Sequence, residues 1–152
     1  MPFRITGISS ELAADVRRTL VSPQYGHPAH RDVARGYGPC RHCLRTFRVG
    51  AEERILFTYQ PFTDPASVPA PGPVFVHAHD CERYDSSDLP PDFRVLPLFL
   101  EAYGKGGRPL GQDRVHRDPE HTLERLFATT GADYVHIRNA EVGCFMARVD
   151  RA

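Results

Sequence analysis

Cys40 and Cys43 lie three apart in the run Pro39-Cys40-Arg41-His42-Cys43-Leu44, the spacing at which two thiolates bind one zinc or close a small redox disulfide. One such pair is half a site. A structural zinc takes four ligands, and no second Cys-x-x-Cys or His-x3-5-His follows at finger spacing, so the others must come from distant sequence. The segment opening at Val74-Phe75-Val76 can supply them: extended, it sets His77, His79 and Cys81 at i, i+2 and i+4 on one face. Cys40, Cys43, His77 and Cys81 then form a Cys3His set for zinc, with His79 behind it or spare. Four protein ligands make such a zinc structural, because a catalytic zinc keeps one position open for water.

Two other readings compete for the same residues. Arg41 and His42 between the sulfurs favour thiolate, which suits a redox pair. A thioredoxin-like motif, however, needs a strand before it and a helix after it, and a Gly/Pro-rich segment precedes Cys40. The plain alternative is that the thiols pack as small hydrophobes while His77 and His79 bond to loop groups.

Charge suggests a metal-free alternative. Residues 27–48 carry five Arg against one Asp, and residues 80–92 carry five acids against one Arg. Either the two segments neutralise each other across the fold, or the basic one forms a pocket for a small carboxylate or phosphate, which Arg grips with a planar fork of donors. For such a ligand the candidates are Arg41, His136 and Arg138. His136 and Arg138 lie near Asn139 and Cys144 in the last hairpin, where a His beside a thiol is either a general base or a satisfied structural residue. No catalytic residue is assigned, and enzyme or not is left open.

The elements that must position these residues read as follows. Phe3 to Thr6 alternates as a half-buried strand. A helix follows, capped by Ser9 or Ser10, with Leu12, Val16 and Leu20 on one face. Val21 to Pro39 has no period and reads as a long loop. Arg54 to Tyr59 is a strand, and five prolines between 61 and 73 make a stiff crossing loop. The strand from Val74 is expected to run on through Cys81, and a further strand to span Phe93 to Tyr103 with Pro97 at an edge or bulge. Asp118, Pro119 and Gly131 bracket a second helix with Leu123, Leu126, Phe127 and Thr130 on its apolar stripe. A hairpin closes the chain, with Val135, Ile137, Phe145, Ala147 and Val149 facing the core, and Tyr134, His136, Arg138, Cys144, Met146 and Arg148 opposite. The pattern predicts an α+β fold: one domain, a mostly antiparallel sheet, two helices and long Pro/Gly-rich loops.

At 152 residues the chain is long enough for a real core, and 19 basic against 19 acidic residues leave no net field for nucleic acid. The longest apolar run, Val95 to Leu100, is far too short to span a bilayer. With four Cys and no apolar run behind Met1-Pro2-Phe3-Arg4, the expectation is a cytoplasmic protein with reduced thiols, partnered by neither nucleic acid nor membrane, with a small-molecule ligand possible and oligomeric state open. Gly-x-Ser-x-Gly, Gly-x-Gly-x-x-Gly and P-loop patterns are absent.

Three segments, taken with the Phe3-Arg4-Ile5 start, carry a family resemblance: Pro39 to Leu44; Gly72-Pro73-Val74-Phe75-Val76-His77-Ala78 with Cys81 and Tyr84; and Tyr134 to Ala140 running into Gly143-Cys144 and Ala147 to Arg151. In order and spacing they resemble a bacterial family known only as domain of unknown function 1203. The resemblance implies a single domain over residues 1–152 and brings no substrate, cofactor or catalytic residue with it.

Overall fold

The computed structural model describes residues 3–152. β1 (Phe3–Thr6) turns Phe3 and Ile5 inward. In α1 (Ser10–Thr19) the Ser9 hydroxyl accepts from the Leu12 amide at 3.2 Å, Glu11 meets the positive end of the dipole, and Arg17 and Arg18 meet the negative end. Leu20 caps this helix in the left-handed region (φ 52°) and so turns outward, off the apolar stripe on which it was expected.

The stretch read as a loop contains β2 (His30–Val33). Neither of its faces is buried, so no alternation marks it in sequence. β3 (Glu53–Tyr59) is the centre of a three-stranded antiparallel sheet, flanked by β2 and by β4 (Gly72–His77). Pro73 is tolerated because β4 is an edge. The strand does not continue to Cys81 as expected. It stops at His77, and the chain bends so that the Tyr84 amide reaches the His42 carbonyl at 2.9 Å.

A six-stranded antiparallel sheet holds the rest, in the order β5 (Asp85–Ser86), β1, β9 (Phe145–Arg151), β8 (Tyr134–Asn139), β6 (Leu98–Tyr103) and β7 (Pro109–Arg114). β5 is a two-residue edge, and a 3-10 turn over Pro91–Val95 replaces the start of the strand expected from Phe93. β6 lies between two partners, which is why Pro97 falls just outside it. β7, mostly exposed, is a further strand that the sequence did not announce. α2 (Pro119–Thr130) has the expected Asp118 cap and left-handed Gly131 stop. β8 and β9 form the closing hairpin.

Two cores result. α2 lies on one face of the large sheet, where Leu100, Leu123, Phe127, Val135 and Ile137 are fully or almost fully buried. α1 and the small sheet enclose the second around Val16, Ile55, Val74 and Val76, with Cys40, Cys43 and Phe145 in it. Complete burial of each such side chain stabilises by roughly 1.5–3 kcal/mol. A bulge in β9 corrects the expected facing: Ile137 pairs with Ala147 and Arg138 with Phe145, leaving Met146 as the extra residue. Met146 therefore joins the first core and Phe145 the second, the reverse of strict alternation. The fold is a single α+β domain with antiparallel sheets.

Candidate metal centre

The Cys-x-x-Cys forms a tight turn after Pro39. The Leu44 amide donates to the Cys40 carbonyl and the Cys40 amide to the Arg45 carbonyl, both at 2.9 Å, while Leu44 takes φ 60°. The peptides between the sulfurs anchor this turn to three other segments. The Arg41 amide donates to Phe75 O on β4 at 2.9 Å, Arg41 O accepts from the Ile8 amide at 2.8 Å, and His42 O accepts from the Tyr84 amide. Backbone of such distant origin approaches this closely because residue 7 is glycine. A Cβ there would lie 2.1 Å from His42 O.

Cys40 and Cys43 from this turn, His77 at the end of β4 and Cys81 from the bend after it bring one donor atom each to a common point, all mutually within 4.8 Å. Cys40 Sγ is 3.9 Å from Cys81 Sγ, and Cys43 Sγ is 3.4 Å from His77 Nδ1. Tetrahedral zinc with its usual bond lengths requires about 3.8 Å between sulfurs and about 3.6 Å from sulfur to nitrogen. The donor set fits the ion. All four cysteines are free thiols, and the cluster is buried except at Cys81.

The surroundings favour thiolate at Cys81. Cys40 Sγ accepts from the His77 amide at 3.3 Å. Cys81 Sγ takes the Arg17 guanidinium at 3.1 Å and stands 3.2 Å from His42 Nδ1, whose Nε2 is 3.0 Å from the Ser10 hydroxyl. With Cys81 as thiolate, His42 donates from Nδ1 and accepts from Ser10 at Nε2. Hydrogen bonds with the Cys40 and Cys43 thiols, then with His42 and His77, hold the Cys81 thiol far below its ordinary pKa against the opposing effect of burial. The same neighbours, Cys40 before Cys81, and then burial push Cys43 up. Burial opposes charge on His77, yet Cys40, Cys81 and Glu52 raise it to about 10. The group as a whole attracts positive charge.

Glu52 lies behind His77. Its Oε2 is 3.1 Å from His77 Nε2, close enough for charge pairing although off the hydrogen-bond axis, and 3.3 Å from His79 Nε2. Its Oε1 accepts from the Arg48 amide at 2.8 Å. Burial opposes ionisation, but the Arg48 amide and the two imidazoles lower its pKa overall. His79, expected behind the set or spare, is outside the four-atom cluster and half exposed. Arg17, whose Nε also donates to His77 O at 2.9 Å, and Glu52 were missed by sequence reasoning. Both are far from their targets along the chain and belong to no motif.

The two charged segments meet around a cavity of about 390 Å³ beside the cluster, lined by Arg45, Arg48, Asp80, Glu82 and Asp92 among others. Thr46 donates to the Asp92 carboxylate across it, but no ion pair joins the two segments among the described residues. Arg31 goes to Glu53, Arg48 to Glu52, Asp80 to Arg17 and Asp85 to Arg4.

Arg41, His136 and Arg138 are not gathered at one cavity. Arg41 is buried, donating to Phe145 O at 2.7 Å and to Pro39 O, and burial lowers its pKa to about 10, still cationic at neutral pH. Arg138 lines a different cavity, pairs with the Glu101 carboxylate and donates to Gly143 O at 3.1 Å. His136 is fully buried among the rings of Phe62, Tyr103, Tyr134 and Phe145, and neither ring nitrogen has a hydrogen-bond partner among the described residues.

Burial, then the Arg138 and Arg148 cations, pulls the pKa of His136 down to about 3. Its unfolded value is about 6.5, so the unfolded chain takes up a proton in acid that the fold refuses. This contribution is neutral at pH 7 and costs stability as pH falls from about 6.5 towards 3, with a slope approaching 1.4 kcal/mol per pH unit. His136→Phe is expected to remove that slope and to raise stability at pH 7 by about 1–2 kcal/mol, since two orphaned polar atoms leave the core. Urea midpoints at pH 7, 6, 5 and 4 check this. Parallel curves for the two proteins would reject the buried neutral imidazole.

No helix among the described residues is long and apolar enough to cross a membrane. A family model described as "Protein of unknown function (DUF1203)" matches residues 37–151. No curated protein and no solved structure matches the chain.

Proposed function

The chain belongs to the DUF1203 family of proteins of unknown function, and from that premise we propose that it is a small cytoplasmic zinc protein, its ion held by Cys40, Cys43, His77 and Cys81 in a structural role. The observation that carries the reading is the convergence of four donor atoms within 4.8 Å of one another from two distant parts of the chain. The sulfur-to-sulfur and sulfur-to-nitrogen separations of 3.9 and 3.4 Å agree with one tetrahedral ion. Zinc supplies a fixed crosslink between the Cys-x-x-Cys turn and the end of β4. Three thiolates and a divalent ion leave one negative charge, which the Arg17 guanidinium at Cys81 offsets. With all four positions filled by protein there is none open for a reacting water, so the role is structural.

Elemental analysis of full-length protein purified without chelator should find about one zinc per chain. A metal-free protein with four freely titrating thiols would reject the reading. Glu52→Gln removes the carboxylate behind His77 without touching a ligand, and its zinc affinity should fall about 10- to 100-fold in a competition titration with a chromophoric chelator. Unchanged affinity would remove Glu52 from the site.

A further inference from the structure

Arg41 carries a buried charge that no carboxylate among the described residues answers; the ionisable groups beside it are Cys144, Cys40 and Tyr37. Its side chain is 3% exposed, and its Nε and Nη1 are satisfied by the carbonyls of Phe145 and Pro39. Carbonyl oxygens satisfy donors but leave the unit charge, and a buried charge is costly unless paired. Nη2 has no acceptor among the described residues.

Arg41 lines a cavity of about 440 Å³ between the loop after β2, the small sheet and the β8–β9 hairpin. Arg54 also lines it, its guanidinium 4.0 Å from the Phe75 ring centroid, but Asp32 at 3.2 Å already answers that charge. The Tyr37 hydroxyl accepts from Asn139 Nδ2 at 2.7 Å, which leaves its proton free to donate. Leu56, Pro73 and Phe75 make the remaining wall apolar.

We propose that this cavity binds a small organic monocarboxylate, its carboxylate on the Arg41 guanidinium and its hydrocarbon body against Phe75 and Pro73. A guanidinium with a free Nη2 and no carboxylate partner selects a carboxylate, and the apolar wall selects a ligand with a carbon body over a bare inorganic ion. The set of residues differs from the trio expected from sequence, keeping only Arg41. None of the four proposed zinc ligands lines this cavity.

Calorimetric titration of the full chain with benzoate, its neutral counterpart benzamide and inorganic phosphate tests the proposal. Benzoate should fill one site at least about tenfold more tightly than either of the others. It should also protect Cys144, which lines the same cavity, from iodoacetamide. Arg41→Met should lose at least about tenfold in benzoate affinity. Because Arg41 lies between two cysteines, a second variant keeps the test independent of folding. Val142 is 71% exposed at the same cavity, and Val142→Glu should weaken benzoate severalfold with zinc content and melting temperature unchanged. Benzoate binding no tighter than benzamide, phosphate binding tighter than benzoate, or neither heat nor Cys144 protection at millimolar benzoate would each overturn it. Zinc content, measured on the same samples, reports separately on the metal reading.

Discussion

On the proposed zinc reading, an excess of EDTA or phenanthroline is expected to lower the melting temperature of the full chain by about 10 °C or more, and Cys43→Ser should do the same without chelator. Loss of one ligand leaves the other thiolates buried without their cation, a class of change that costs about 3–5 kcal/mol. For a domain of this size each kcal/mol corresponds to about 2–4 °C. Cys144→Ser is the control, since Cys144 lies outside the cluster and its loss should leave zinc content unchanged. Scanning calorimetry with and without chelator reads the two shifts, and elemental analysis reads the control. The same melting temperature for metal-loaded and chelated protein would show that the four donors are held together by packing alone.

Gly7→Ala is expected to be among the most damaging single-methyl additions in the chain. The new Cβ would meet His42 O at 2.1 Å and Arg41 O at 2.8 Å, both backbone atoms that no side-chain rotation can clear. Relief requires β1 and the Cys turn to separate, which breaks the bonds from Ile8 to Arg41 and from Gly7 to Tyr84. Overpacking with loss of buried hydrogen bonds costs about 3 kcal/mol or more. Because the displaced peptides lie between Cys40 and Cys43, zinc affinity should drop at least about tenfold with stability. Gly72→Ala is the comparison: its Cβ meets nothing within 4 Å, and it should be nearly neutral. Equal effects of the two substitutions in urea denaturation would show that close approach is not what residue 7 provides.

The sequence was most legible where the signals are local. α2 could be read from Asp118, Pro119 and Gly131 because cap, first-turn proline and left-handed stop act over a few residues. The four donors were legible as residue types and spacing, but His77 and Cys81 meet across a bend and not along one strand, since β4 ends at His77. β2 and β7 were missed because neither buries a face strongly enough to impose alternation. Arg17 and Glu52 were missed for a different reason. Each acts on His77 from its own distant element, and only the tertiary fold makes them neighbours.

The extra residue in β9 has a bearing on cooperativity. A single strand delivers Phe145 to the core around α1 and, two residues on, Ala147 to the core beneath α2. Neither half can come apart without dislodging a strand the other depends on, so the molecule should lose its structure on heating in one step, with no half-melted species in which one sheet outlives its neighbour.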